Sequence, residues 1–316
     1  MNESVLSFKD KYFGDKNFYK MTLTIAIPII IQNLLTNLVS MADNIMVGQL
    51  GTNQMSGVAI INQLFFVFNL LVFGGMSGAG LFSAQYFGQK NHNGVRDVFR
   101  MKILIGITII AISLSVMIFL HEPLINMFLH EGSSSGNIQE TFNYAKNYLY
   151  IMVIGIAPFV ISNCYNTTLK ESGQTVVPMK AGVLAVVFDI VLNYIFIFGK
   201  LGFPAMGVVG AAIATVISRF VECGYLVIYT HIHSNDYPFI KHCYRTLKVP
   251  GSLVKKIIVT GAPLMLNEFL WAGGLTLQTQ ALSTKGLATV GGLNICNTIG
   301  NISNCIFVTM GTTIAI

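Results

Sequence analysis

Four acidic residues interrupt long apolar runs: Asp43, Asp189, Glu222 and Glu268. A charged side chain at the centre of a membrane helix costs on the order of 2.5–3.5 kcal/mol by insertion scales, so each needs a partner or a task. Asp189 and Asn193 are four residues apart, which places them on one helix face. A carboxylate beside an amide can hold a proton or offer oxygens to Na⁺. Glu268 follows Pro263 by five residues. Proline donates no backbone N–H, so it frees a carbonyl in the preceding turn; beside a buried Glu this makes a second candidate cation site. Asp43 ends a polar stripe in which Gln32, Thr36 and Ser40 recur at helical spacing, with Asn33, Asn37 and Asn44 beside them. So wide a stripe suits a watery cavity better than lipid. The alternative is that Asp43, ~30 Å along its helix, lies near the outer interface. Asn294, Asn297, Asn301 and Asn304 share a further face and either line the same path or join helices by hydrogen bonds. Arg219 and Glu222, three apart, are expected to pair. The chemistry these residues suggest is binding and release of a small cation, with Na⁺ at Asp189, Asn193 or Glu268 as the metal option and no catalytic group.

The elements that must position them are membrane helices. Hydrophobic residues make up 53% of the 316 and charged residues 10%, against about 25% charged in soluble domains. That excludes an ordinary water-soluble enzyme, a disordered chain and a nucleic-acid module. Eight apolar stretches lie near 21–46, 55–82, 101–121, 144–168, 176–198, 206–230, 253–282 and 288–316. Each is long enough to cross a ~30 Å hydrocarbon core as a helix. None shows the period-two polarity of a barrel strand, so the fold class is an all-α membrane protein, a polytopic helical bundle. Lys and Arg gather before the first stretch and between the second and third (Lys90, Arg96, Arg100, Lys102), the fourth and fifth, and the sixth and seventh. The positive-inside rule then puts the N-terminus in the cytoplasm of a multi-pass protein of the cell (plasma or inner) membrane. Gly75-Met76-Ser77-Gly78 looks like a serine-protease string, but no His stands inside an apolar run to serve as its base. The five Cys and six His lack metal-ligand spacing.

Shifting the chain by 235 residues superposes the first two stretches on the last two: Pro28 falls on Pro263, Gly57 on Gly292, Asn62 on Asn297 and Asn69 on Asn304. The bend-forming prolines and costly in-membrane amides coincide. An even number of spans separates the copies, so they run in the same direction, the parallel-repeat arrangement with a substrate path between halves. The expected organisation is a cytoplasmic segment 1–20, a complete six-helix lobe 21–231, a cytoplasmic linker 232–252, and the first two helices, 253–316, of a second, pseudo-symmetric lobe.

At this point the residues resemble a known family. The first stretch with its loop, PIIIQNLLTNLVSMADNIMVGQLG, is similar to the opening of multidrug and toxic compound extrusion (MATE) transporters, as are GAGLFSAQYFG, LKESGQTVVPM, NYIFIFGKLGFPAMGVVGAAIATVIS and APLMLNEFLW. The resemblance implies an antiporter that exports hydrophobic, often cationic, organic compounds in exchange for Na⁺ or H⁺ by rocking two six-helix lobes, with no cofactor beyond the coupling ion. Asp43 matches the family's acidic residue of the first helix, and Glu268 the seventh-helix Glu of its NorM-like branch. The fifth helix departs from the DinF-like pattern of Asn then Asp, having Asp189 then Asn193. MATE chains have twelve spans, so a C-terminally truncated member is expected. The rivals are a lipid-linked oligosaccharide flippase of the same superfamily, which would want several basic residues in its cavity, and a non-transporting truncated membrane protein.

Overall fold

The computed structural model describes residues 15–129 and 137–285, and of the remainder only residues 289, 292, 293, 295–297, 299, 300, 304, 307, 309–311 and 313. Among these there is no strand. The helices are α1 (Lys16–Gly48), α2 (Thr52–Gly88), α3 (His92–Phe119), α4 (His121–Asn126), α5 (Ile138–Met152), α6 (Ile156–Glu171), α7 (Val176–Phe198), α8 (Val208–Ile232) and α9 (Gly251–Ser283). Side-chain caps start three of them. Asp15 accepts from Phe18 N at 2.7 Å, Asn91 from Gly94 N at 3.0 Å, and Asn137 from the N–H groups of Gln139 and Glu140. These satisfy N–H groups that the first turn of a helix leaves free.

Six segments among the described residues are long and apolar enough to cross a membrane: α1, α2, α3, the continuous run α5–α6, α7 and α8. α9 is as long as α1 but carries Asn267 and Glu268 at mid-length and is not among them. The eighth expected stretch lies largely outside the described residues. Large apolar side chains face outward on every one of these segments, including Leu23, Phe73, Ile112, Ile161, Val187 and Ile228. A helix apolar all round belongs in lipid or in a core; here one face does each.

One expectation needs correction. The hydropathy edges understate the helices: α2 runs to Gly88 and α3 starts at His92. A fall in hydropathy marks the edge of the bilayer, whereas the helix ends where capping ends it. Arg96, Arg100 and Lys102 therefore belong to α3 rather than to a connecting loop. The stretch 144–168 is one continuous segment that tightens into a 3-10 turn at Val153–Gly155. Pro158 lies four residues beyond Ile154, where it can supply no N–H to the Ile154 carbonyl.

α7 pairs with α8 and α1; α2 packs on α3, α5, α6 and α9. Gly210 permits the α7–α8 approach, since a Cβ there would lie 2.7 Å from the Phe196 carbonyl. α9 lies antiparallel along α2. Gln63 Nε2 donates to Thr276 Oγ1 at 3.2 Å, Phe66 and Trp271 sit 6.0 Å apart, and Gly78 meets Gly261 so closely that a Cβ on Gly78 would be 2.3 Å from the Gly261 Cα. One pair of contacts is related by the 235-residue offset. Asn33 Nδ2 donates to Thr309 Oγ1 at 2.9 Å. The offset carries Asn33 onto Glu268 and Gly74 onto Thr309, and Gly74 does abut Glu268, whose Cβ is 3.5 Å from the position of a Gly74 Cβ.

Candidate functional site

Three helices place their polar residues at one point inside the apolar bundle. α7 supplies Asp189, 4% exposed, and Asn193, 0% exposed. Both lie on one face, as their four-residue spacing requires. α1 supplies Asp43, and α8 supplies Ser218. Asn193 Nδ2 donates to Asp43 Oδ1 at 2.6 Å and to Asp189 Oδ2 at 3.2 Å. One amide NH₂ has two protons, so Asn193 bridges the two carboxyls with nothing to spare. Both carboxyls therefore lie within hydrogen-bond reach of one nitrogen. Two carboxyl groups this close repel unless a proton or a cation is shared between them. The second Asp189 oxygen lies 3.0 Å from Ser218 Oγ. That hydroxyl is also 2.8 Å from the Ala214 carbonyl. With one proton it serves one acceptor at a time, leaving its lone pairs free when it turns to Ala214.

Asn193 Oδ1 is buried without a hydrogen-bond partner. An acceptor left alone in a buried site costs about 1–3 kcal/mol; the other end of the same amide bridges the two carboxyls, and Ser218 Oγ adjoins Asp189. Such a set of oxygens suits a hard monovalent cation or a transferable proton. Among the described residues no three His, Cys, Asp or Glu side chains form a metal-binding group.

The stripe ahead of Asp43 divides by depth. Gln32 is buried against Gly182 of α7, where a Cβ would be 3.2 Å from its side chain. Asn33 makes the contact to Thr309 given above, and Asn37 is half-buried. Thr36 and Ser40 are exposed, their hydroxyls turned back to the carbonyls of Gln32 and Thr36. Pro28 is buried within α1, and Pro263 is exposed within α9. Asn297 lines a cavity of about 20 Å³ with Gln63, Thr279 and Ala59. Asn304 is exposed. Asn294, Asn301, His130 and Cys305 lie outside the described residues. Glu268 is half-buried on the α2–α9 seam and has no hydrogen bond to Asp43, Asp189 or Asn193.

The expected Arg219–Glu222 pair does not form. The Arg219 guanidinium lies over the rings of Phe65 and Phe159, 5.4 and 5.0 Å from their centroids, and reaches the Gly155 carbonyl at 3.5 Å. Gly155 makes the room, because a Cβ there would sit 3.1 Å from Arg219 Cδ. Two aromatic faces in a desolvated setting hold a guanidinium by ~2 kcal/mol or more, which exceeds a helical ion pair of about 0.2–0.5 kcal/mol.

Sequence reasoning missed a second charged site. Lys102 is 0% exposed and donates to both Glu171 oxygens at 2.7 and 2.6 Å, to Thr167 Oγ1 at 3.0 Å and to Thr168 Oγ1 at 3.2 Å. Gly80 of α2 completes the pocket, since a Cβ there would meet Glu171 Oε1 at 2.5 Å. Lys102 resembles a topology-setting charge, and only its run of apolar neighbours, Met101 and Ile103–Ile105, hints at burial. Ser218 was also missed; a lone serine in an apolar helix carries little signal.

A family model, MatE, matches residues 28–195. The chain belongs to the MATE family. This stretch contains Asp43, Asp189 and Asn193. The chain is 30% identical over 276 residues to a protein described as probable multidrug resistance protein NorM of Thermotoga maritima, covering 87% of this chain and 57% of the relative. A second NorM, of Halalkalibacterium halodurans, is 30% identical over 86% of this chain and 57% of its own length. The chain thus spans little more than half the length of these relatives. A solved outward-facing multidrug resistance MATE family transporter superposes with a TM-score of 0.76 over 93% of this chain and 62% of that one, at 23% identity, and so shares the fold. MATE proteins are transporters and not enzymes.

Proposed function

We propose that the chain acts in a secondary active multidrug exporter that moves hydrophobic or cationic organic compounds in exchange for Na⁺ or H⁺, with Asp43, Asn193, Asp189 and Ser218 as the ion-coupling group. One observation carries the reading: a buried amide bridges two carboxyls from different helices, while its own oxygen has no hydrogen-bond partner. A group of this kind is stable only with a proton or cation present, so loading and unloading it biases how α1 sits against α7 and α8. Glu268, on the seam to α9, is the second acid in the proposal. Gln32, Asn33, Thr36, Asn37, Ser40, Asn294 and Asn297 are the polar residues assigned to the transport path.

The end of the bundle carrying Lys90, Lys180, Lys241, Arg245 and Lys248, all exposed, is assigned to the cytoplasm of the cell membrane. The flippase alternative needs unpaired basic groups for a pyrophosphate. Arg219, held over two rings, is a single cation unpaired among the described residues, and Lys102 is neutralised by Glu171 at 2.6 Å, so the several free charges a pyrophosphate wants are not offered by these two. The test is efflux of a cationic dye from vesicles holding the intact gene product. Asp189→Asn is expected to abolish ion-driven efflux while dye binding persists. Wild-type efflux by Asp189→Asn and by Asp43→Asn would refute the assignment.

A further inference from the structure

A cavity of about 80 Å³ opens far from the acid–amide cluster, where the end of α2, the start of α3 and the α6–α7 turn meet the segment joining α8 to α9. One water needs roughly 10–15 Å³ of such space, so the cavity has room for about five to eight non-hydrogen atoms. Its wall carries three aromatic side chains: Phe87, 41% exposed at the mouth, and the buried Tyr237 and Phe239. The Asp236 carboxylate is exposed at the rim and makes no ion pair among the described residues. Ser172, 5% exposed, lines the floor, and its Oγ is buried without a hydrogen-bond partner. Gln174 stands beside it.

The lining selects a ligand class. It contains no Lys or Arg; His92 at the start of α3 is its one titratable base, and the Asp236 carboxylate opposes phosphates and carboxylates. A wholly apolar occupant would leave Ser172 unsatisfied and desolvate Asp236 for no return. Aromatic rings with a carboxylate at the rim are surroundings in which organic ammonium ions bind. We propose that this cavity binds a small organic ammonium ion of trimethylammonium size, with Asp236 as its counter-charge, Phe87, Tyr237 and Phe239 as its aromatic wall, and Ser172 bonding to a polar substituent. The site stands apart from the exchange reaction, because none of its residues belongs to the acid–amide cluster.

Calorimetric titration of the purified full chain in detergent tests this, with tetramethylammonium chloride as the probe and NaCl as the blank. Wild type is expected to bind saturably. Asp236→Asn, which keeps the shape and removes the charge, is expected to weaken binding about tenfold, and Phe87→Ala, at an exposed lining residue, should weaken it several-fold. Asp189→Asn is expected to bind as wild type does, which separates this site from the transport reading. tert-Butanol, a neutral probe of the same size, should bind at least tenfold more weakly than tetramethylammonium. Absence of saturable binding by folded wild type would overturn the proposal. So would equal affinity in wild type, Asp236→Asn and Phe87→Ala, or equal binding of tert-butanol.

Discussion

Replacing Glu171 with Gln removes the only anion among the described residues that touches a fully buried ammonium. Lys102 Nζ has three protons and four oxygens within 3.2 Å, two of them from Glu171. After the change, an amide and two hydroxyls remain, and all are neutral. Breaking a buried pair by removing one partner costs about 3–5 kcal/mol, because the other charge stays buried and uncompensated. Lys102→Met should cost a similar amount, since it strands the Glu171 carboxylate in a pocket closed by Gly80. The double variant Lys102→Met/Glu171→Gln buries no net charge, and replacing a buried ion pair by neutral groups is often close to neutral in stability. The two losses are therefore strongly non-additive, with a coupling of roughly 3 kcal/mol or more. The assay is a double-mutant cycle of equilibrium unfolding in detergent micelles, followed by helical circular dichroism. Additive losses, or singles within about 0.5 kcal/mol of wild type, would refute the reasoning: the pair would then be solvated and unimportant to the α3–α6 contact.

The other predictions follow from close approaches and burial. Gly78→Ala should destabilise the protein by ~1–3 kcal/mol, because the new Cβ meets the backbone of Gly261, which cannot turn away. Gly224→Ala, with nothing within 4 Å, should instead be neutral or stabilising by up to ~1 kcal/mol, and melting curves of the two variants compare them directly. Burial pushes the Cys243 thiol in the α8–α9 connection up to about 11, against a smaller opposing pull from Arg100. Only roughly one thiol in a thousand is then thiolate at pH 8. Maleimide labelling of Cys243 in the native protein, read by mass spectrometry, should be slow at pH 8 and accelerate towards pH 11, whereas the unfolded protein labels at once.

The spans were legible because lipid demands apolar helices, and a run of twenty such residues has few other uses. The face shared by Asp189 and Asn193 was legible too, since helical spacing alone fixes it. What the chain could not reveal is that α1 delivers Asp43 to that face and α8 delivers Ser218, because partners across helices depend on packing and not on spacing. Lys102 was misread for a related reason. A basic residue near a hydropathy edge looks like a surface charge until a Glu from a helix almost seventy positions away arrives to neutralise it. Arg219 shows the converse. Its i,i+3 neighbour was the local candidate, but the room at Gly155 and two rings from other helices outcompeted it. The 235-residue offset relates the Asn33–Thr309 contact to the Gly74–Glu268 contact.

The central claim is that a cation is held and released between Asp43, Asn193 and Asp189. The most direct test is the counter-flux itself: Na⁺ and H⁺ uptake recorded by trapped indicators while a cationic dye leaves vesicles carrying the intact gene product. The wild type is expected to exchange dye for one of the two ions, and the Asp43→Asn/Asp189→Asn double variant to bind dye without any coupled ion movement. Undiminished counter-flux in that double variant would contradict the account.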